Sequence, residues 1–450
     1  MSLLGSIFLI TQPPPPTLTD QPVEILAQIA VDAVAHTPED NVTRLCLLDK
    51  KFKKVCSDKE FWKQVVFRTW GLKTSLDDDH RKNYMYYVFG LPTRSNAERF
   101  FRGDQRIREF AYNGDMSKFD FDNNLEKLAS LKHLETLSLF EVSDNDIIEV
   151  SKVLMNMNNK TLRRLSLLKT GARQDISNDA VLSLCNFLET NSSVKLLHFE
   201  KLVFEEEHAK NIIDALIERP KKISLILRRN EMRDNAASEI IRLLNSNKIG
   251  GIFNISGNAI DENTMEIIIQ SLPNSPSIRI LIINDQFLGG NNMLAAYLET
   301  NPEIFRLELD DSPMETSDEA IIIANSLTSN SNLKQLSLSN NWLLNNETVM
   351  QMFMPILENN SLEELNLHAS PLDDDILERL AYVYAESNES LQRLELTFSE
   401  FTYPKALNVF SEYLPADTNK VVILDGINLD STDLTPEAEE AIERGTIELE

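Results

Sequence analysis

The chain has 450 residues, of which 42% are hydrophobic, and its formal net charge is -26 at pH 7. This length suits two or three ordinary domains or one long repeat array. The negative charge repels phosphates at long range, which argues against general binding to nucleic acid or to an anionic membrane. We therefore expect neither a nucleic-acid partner nor a membrane partner.

The N-terminal stretch and the cysteines indicate a reducing compartment. Cys46, Cys56 and Cys185 are too few, and odd in number, for a disulfide framework. Residues 3–10 are apolar but follow no Lys or Arg and run into a proline stretch, so they fit neither a secretory signal nor a membrane span. We expect a disordered Pro-rich leader over residues 1–19. We also expect a cytoplasmic location, in the host cytoplasm if the source is an intracellular pathogen.

Residues 20–71 predict a small all-α module. Asp20 can cap a first helix with Pro22 in its first turn and apolar residues at helical spacing after it. A second helix begins near residues 38–40 and places Leu45 and Leu48 on one face. A third segment carries the aromatic pair Phe61-Trp62.

This module resembles the F-box. Gln21-Pro22-Val23-Glu24 matches a Leu-Pro-x-Glu start with Gln21 in place of Leu, residues 38–40 match the acidic turn, and Phe61-Trp62 matches the close. The first link is longer than usual, and Asp49 stands where an apolar residue is common. The resemblance implies binding to a Skp-type adaptor protein and cullin complex. The alternative is an unrelated helical cap for the array that follows. The implied adaptor-binding residues are Pro22, Ile25, Leu26, Leu45 and Leu48.

A repeat follows a connector at residues 72–106. Between residues 107 and 430 the pattern L-x-x-L-x-L recurs at intervals of 26 to 32 residues, which predicts a stack of about 11–12 similar units. A degenerate first copy begins at Ile107. The other copies begin at Leu134, Leu162, Val194, Lys222, Gly250, Ile278, Ile304, Leu333, Leu362, Leu391 and Asn419.

Each copy continues in a recurring way. Asn often stands eight residues after the start, as at Asn230, Asn258 and Asn341, where it can bond backbone groups that a turn leaves unpaired. An amphipathic helix follows, for example over residues 373–386. Because Lys222, Gly250 and Asn419 replace the first Leu, we expect one edge of the sheet to be less well filled.

Period and register resemble the ribonuclease-inhibitor-like class of leucine-rich repeats. The resemblance implies an α/β solenoid, with a curved parallel sheet inside and helices outside. We assign residues 431–450 to a C-terminal cap and acidic tail.

In such a unit, the residues two, four and six positions after the start point away from the helices. Four of these residues form an apolar strip on a surface that should face solvent, which is typical of a partner site. They are Ile226, Ile252, Ile280 and Ile282. If the register slips by one residue, the isoleucines become core instead. His198 and His368 lie in the same rows, and we interpret them as plain surface residues. The predicted substrate-binding residues are Ile226, Arg228, Ile252, Ile280, Ile282, Arg306 and Trp342.

The sequence predicts no catalytic, cofactor-binding or metal-binding residues. Phosphate-binding glycine loops, the H-E-x-x-H metal motif and the G-x-S-x-G nucleophile motif are all missing from it. We therefore expect a protein-interaction adaptor rather than an enzyme, namely the substrate-recognition subunit of a Skp-cullin-F-box type ubiquitin ligase that binds one or more protein substrates. The alternative is a stand-alone leucine-rich-repeat binding or inhibitor protein with no ubiquitin role.

Overall fold

A computed structural model places most of the repeat array. The chain divides into two compact units, Met1–Thr170 and Gly171–Glu450. The F-box-like module, its five predicted adaptor-binding residues and the connector lie outside the described residues. The residues that the structure describes are 109–112, 128–140, 142–156, 160–169, 174–286, 291–301, 303–312, 317–341, 344–386, 390–414, 418–424 and 434–449.

In the first unit, three parallel strands pair in chain order. They are β1 (Glu109–Tyr112), β2 (Thr136–Phe140) and β3 (Arg164–Leu168), and helix α1 (Asp144–Asn156) connects β2 to β3. Phe110 lies opposite Leu137 and is fully buried. A strand in register with the repeat therefore precedes the copy at Leu134.

The described part of the second unit contains a sheet of ten parallel strands. In pairing order they are β5 (Leu196–Glu200), β7 (Ile223–Arg228), β8 (Ile249–Asn254), β9 (Ile278–Ile282), β10 (Arg306–Glu308), β11 (Gln335–Ser337), β12 (Glu364–Asn366), β13 (Arg393–Glu395), β14 (Val421–Leu424) and β15 (Ile447–Leu449). The two short strands β4 (Gln174–Asp175) and β6 (Leu202–Val203) pair separately.

Helices alternate with these strands, and most neighbouring helices pack against one another. They are α2 (Asn178–Thr190), α3 (Glu206–Glu218), α4 (Asp234–Asn245), α5 (Glu262–Ser271), α6 (Asn291–Thr300), α7 (Ser317–Ser326), α8 (Asn346–Glu358), α9 (Leu377–Glu386), α10 (Tyr403–Tyr413) and α11 (Pro436–Arg444). Helix α9 begins four residues later than the sequence predicts. The carboxylate of Asp373 is used in the preceding turn, where it accepts the backbone N–H of Asp375 at 3.0 Å.

The strand register confirms the repeat pattern. Leu225, Phe253, Leu281 and Leu307 lie opposite one another on adjacent strands, and all four are fully buried. Each stands three residues after the predicted start of its copy, where the pattern requires an apolar core residue. The described chain is therefore a leucine-rich-repeat-like parallel sheet backed by helices.

The weak copies at Lys222 and Gly250 differ from the expectation. Lys222 is exposed, but its neighbour Ile223 is buried, and Ile249 is buried beside Gly250. Ile223, one residue after Lys222, and Ile249, one residue before Gly250, fill the two core positions. They can do so because the pairing between β7 and β8 shifts at this point. The prediction of a poorly filled sheet edge at these two copies is therefore wrong.

The repeated asparagines bond neighbouring units together, as the sequence predicts. The buried side chain of Asn258 donates to the carbonyls of Leu227 at 2.7 Å and Ile255 at 2.6 Å. Its carbonyl oxygen accepts the backbone N–H groups of Asn230 at 2.9 Å and Met232 at 3.3 Å. Four buried backbone groups that the turn would leave unpaired are thereby satisfied. The side chain of Asn230 makes similar contacts to the preceding unit. That of Asn341 donates to the carbonyls of Leu309 in the preceding unit and Leu338 in its own.

A buried arginine makes the corresponding link at a helix end. Arg219 has no exposed surface, and its guanidinium donates to the carbonyls of Leu188 at 2.8 Å and Val194 at 2.7 Å. Burial lowers the pKa of this guanidinium. In a later unit, Asn330 donates from its amide to the carbonyl of Leu298 at 2.6 Å in the same way. The repeated contact is therefore to backbone carbonyls of the preceding unit, and different side chains can make it.

The acidic C-terminal segment extends the sheet over the residues described. Helix α11 begins after Thr435, whose hydroxyl accepts the backbone N–H of Ala438 at 3.2 Å. It ends at Gly445, which takes the left-handed conformation common at helix ends. Strand β15 then pairs with β14 and buries Ile447.

Candidate functional site

Strands β7, β8 and β9 bring the four predicted isoleucines together. Ile226 and Ile282 both pair with Asn254 in one row across the sheet, and Ile252 pairs with Ile280 in the next row. Buried Leu225 and Leu227 flank Ile226 along its strand, so the isoleucines lie on the opposite side of the sheet from the helices. We call that side the open face, and these four residues the isoleucine patch. Ile226 is only 5% exposed, whereas the other three isoleucines are partly exposed.

A bulge in β8 shapes the patch. The pairing between β8 and β9 shifts between Gly251 and Ile252. The hydroxyl of Ser224 donates to the carbonyl of Gly250 at 2.9 Å and accepts the N–H of Ile252 at 3.1 Å. Gly251 has a φ of +75°, and a Cβ atom there would lie 2.5 Å from the Ser224 hydroxyl oxygen. The bulge thus depends on glycine, and it allows both Ile249 to enter the core and Ile252 to reach the open face.

Arg228 lies at the end of β7 beside the patch. Its guanidinium is 3.8 Å from the carboxylate of Glu200, which is also 3.4 Å from the ring of His198. Burial alone would raise the pKa of Glu200, but the hydrogen bond from His198 and the charges of Arg228 and Arg229 bring the pKa below its usual value. His198 itself is buried, so its interpretation as a plain surface residue is wrong. The result is a charged group fixed at the edge of the isoleucine patch.

Arg306 borders the patch on its other side. It pairs directly with Ile280 across the sheet and makes a salt bridge to Glu308, which pairs with Ile282. The structure therefore brings together six of the seven predicted substrate-binding residues. The seventh, Trp342, lies outside the described residues.

Beyond Arg306 lies a polar cluster around Asp310. Its carboxylate accepts the hydroxyl of Ser337 at 2.5 Å and the N–H of Ser339 at 2.9 Å, and the amide of Asn284 lies 3.3 Å away. Burial, aided by the negative charges of Glu308 and Asp311, raises the pKa of Asp310 to about 7. This carboxyl group therefore titrates near neutral pH on the open face.

One edge of the open face carries a row of residues in the left-handed backbone conformation. They stand seven residues after the starts of eight successive copies, from Val194 to Leu391, with φ between 52° and 66°. Their N–H groups continue the pairing between units; that of Gly257, for example, donates to the carbonyl of Asn284 at 2.9 Å. We call this row the rim. It consists of Lys201, Arg229, Gly257, Asp285, Asp311, Asn340, Ala369 and Phe398.

The sequence patterns did not lead us to predict the rim as part of the exposed surface. Four of its eight members are Gly, Asp or Asn, which adopt the left-handed conformation most readily, and that preference was the available signal. The same reasoning missed Phe398, which is 46% exposed and packs edge to face against His368 with 5.1 Å between ring centroids. A bulky aromatic side chain is unusual in this conformation.

The part of the chain that the structure describes shows no group of three or more His, Cys, Asp or Glu side chains placed to hold a metal ion. Among those same residues, no helix combines the length and apolar character needed to cross a bilayer.

Comparisons with known proteins give structural likenesses alone. No family model matches the sequence, and no curated protein matches it. The complex of Rad7 and Elc1 from yeast aligns at 15% identity and a TM-score of 0.42, covering 79% of this chain and 90% of that chain. The leucine-rich-repeat-containing protein LegL7 from Legionella pneumophila aligns at 15% identity and a TM-score of 0.38, covering 72% and 93%. An internalin from Listeria monocytogenes aligns at 13% identity and a TM-score of 0.36, covering 67% and 83%. At these scores none of the likenesses bears on function.

Proposed function

We propose that this chain is a protein-binding scaffold whose partner contacts the isoleucine patch on the open face. The observation that carries the proposal is the grouping of Ile252, Ile280 and Ile282, all partly exposed, on adjacent strands of the open face. Apolar side chains grouped on a surface favour a protein partner, because burying them removes apolar area from water. Arg228 and Arg306 border the patch, and arginine is a favoured anchor residue at interfaces.

We further propose that the scaffold is the substrate-recognition subunit of a Skp-cullin-F-box type ubiquitin ligase. The support is the F-box resemblance of residues 20–71 in the sequence. Under this proposal, Leu26 and Leu45 bind the Skp-type adaptor, the open face binds the protein substrate, and no chemistry occurs on this chain. A stand-alone binding or inhibitor protein is the alternative, and it differs only in what residues 20–71 contact.

Photo-crosslinking tests the use of the open face. A benzophenone amino acid is placed at Ile252 or Ile280, with a matched control at Ile267, which is 47% exposed on helix α5. We expect the same partner to be crosslinked from both patch positions and not from the control position. Crosslinking of that partner from Ile267 alone would refute the proposed site.

A pull-down with a purified Skp-type adaptor tests the ligase role. The intact chain is compared with a Leu26→Asp, Leu45→Asp double variant that has first been shown to retain its circular-dichroism spectrum. Binding by the intact chain and its loss in the folded variant would support the ligase role. Failure of the intact chain to bind would leave the stand-alone scaffold.

A further inference from the structure

The charge next to the isoleucine patch changes sign along the rim and the strand ends beside it. The change occurs at Gly257, which lies between the two signs. On one side lies a basic end, consisting of Lys201, Arg228 and Arg229. On the other side lies an acidic end, consisting of Asp285, Asp310 and Asp311.

Contacts within each end leave the sign of its charge intact. At the basic end, the carboxylate of Glu200 lies 3.8 Å from Arg228, and the neighbouring Arg229 adds a second positive charge. At the acidic end, Asp285 and Asp311 supply the negative charge, and Asp310, whose pKa is raised to about 7, is only partly ionised at neutral pH. The groups that donate to these carboxylates are neutral: Ser337 and Ser339 donate to Asp310, and Asn340 donates to Asp311. A partner lying over the patch therefore meets positive charge at one end and negative charge at the other.

Gly257 leaves space between the two ends for the side chain of Arg229. A Cβ atom at this position would lie 2.7 Å from Cγ of Arg229 and 3.5 Å from a carboxylate oxygen of Asp285. The left-handed backbone does not itself demand glycine here, since Arg229, Asp285 and other rim residues adopt it with full side chains. Glycine instead leaves room for the arginine to lie across position 257 toward the aspartate. The change of sign is thus set sharply at one unit.

Resting on the proposed function, we propose that the isoleucine patch binds a protein segment that is apolar in its middle and oppositely charged at its two ends. The acidic residues of the segment lie over Arg228 and Arg229, and its basic residues lie over Asp285, Asp310 and Asp311. The apolar residues between them contact Ile252, Ile280 and Ile282.

Charge complementarity is the reason for this choice of partner. A segment in the opposite orientation would place like charges against each other at both ends, which disfavours binding and slows association. A wholly acidic or wholly basic segment would be repelled at one end. Two ends of opposite sign therefore select both the composition of the partner segment and its direction across the strands.

A displayed library of random dodecapeptides supplies the probe, because it presents every charge order to the full-length chain at about 0.15 M ionic strength. Selected peptides are synthesised, and their affinities are measured by fluorescence anisotropy. The variants are Arg228→Gln with Arg229→Gln at the basic end and Ile280→Asp in the patch. A matched control, Lys210→Gln with Arg379→Gln, removes the same charge from exposed positions on helices α3 and α9. Circular dichroism confirms that each variant is folded.

We expect the selected peptides to contain an acidic block, an apolar middle and a basic block. The Arg228→Gln, Arg229→Gln variant should weaken binding about tenfold or more, with little change in the control variant. Replacing the acidic residues of a peptide by Gln should have no further effect on that variant, because the two changes remove the same contact.

The other outcomes separate the two proposals. Peptides that lose binding with Ile280→Asp but respond equally to both charge variants would overturn the charge-order inference and leave the patch as the binding site. Peptides unaffected by Ile280→Asp, or a library that yields no binder, would overturn the inference and count against the patch itself.

Discussion

Replacing Asn258 by alanine should destabilise the middle of the repeat array strongly. The change removes four buried hydrogen bonds, two donated to the carbonyls of Leu227 and Ile255 and two accepted from the N–H groups of Asn230 and Met232. Each such bond contributes about 1 kcal/mol net, and a buried group left unpaired costs about 1–3 kcal/mol. The expected loss in the free energy of unfolding is therefore about 3–5 kcal/mol.

Ser370→Ala is the matched control for this change. Ser370 stands at the same position of its own unit, eight residues after the start, and is equally buried. Among the described residues its hydroxyl has no hydrogen-bond partner. Removing that hydroxyl should change the free energy of unfolding by less than about 1 kcal/mol, in either direction.

Urea unfolding followed by circular dichroism measures the overall loss. Hydrogen exchange of the β7 and β8 amides locates it, because units of a repeat array can open separately. A loss below about 1 kcal/mol for Asn258→Ala, or equal losses in the two variants, would refute the argument that the asparagine bonds hold neighbouring units together.

Three further predictions concern titration, backbone space and burial. Because the pKa of Asp310 is raised to about 7 from an ordinary 3.8, its contribution to stability is full below about pH 4 and is lost as the pH rises to about 7. Asp310→Asn should therefore gain stability relative to the parent chain as the pH rises through that window, as measured by thermal unfolding. Gly257→Ala should lower the free energy of unfolding by about 1 kcal/mol more than Gly445→Ala does, as measured by urea unfolding. Both positions have positive φ, but only at Gly257 would the new Cβ atom meet a side chain, that of Arg229. Burial raises the pKa of Cys185 to about 12, so its thiol should react with a disulfide reagent only at the rate at which the surrounding structure opens.

Each of these has a simple check. The labelling experiment uses a chain with Cys46→Ser and Cys56→Ser, so that one thiol remains. Rapid labelling of Cys185 under native conditions would show that helix α2 is not packed as described. An unchanged stability difference between Asp310→Asn and the parent chain across the pH window would contradict the raised pKa. Equal losses of unfolding free energy in the two glycine variants would mean that the side chain of Arg229 can move away from the new Cβ atom without strain.

The regular part of the fold was predictable because it depends on local pattern. An apolar residue at every second strand position must face the core in a sheet covered by helices, so Leu225 and Leu281 could be placed from sequence spacing alone. The buried asparagines were predictable for a similar reason, since a polar side chain recurring at one position needs a recurring backbone partner.

The irregular part depends on neighbouring units. Ile249 enters the core in place of Gly250 because β8 contains a bulge, and the bulge is fixed by a hydroxyl from Ser224 in the preceding unit. The raised pKa of Asp310 likewise arises from its burial among residues of adjacent units, including Ser337. No local spacing carries that information. The four isoleucines could be named from the sequence, but their grouping around this bulge could not.

Along the rim, the side chain varies while the backbone conformation stays the same. Lysine, aspartate, alanine and phenylalanine occupy equivalent rim positions at nearly the same φ, at Lys201, Asp285, Ala369 and Phe398. The N–H groups of the first three donate to the next unit. A substitution in this row can therefore change the surface offered to a partner while the chain path underneath stays the same. During evolution, such a row allows the partner to be exchanged by single mutations, and in the laboratory it is the place to begin a redesign of binding.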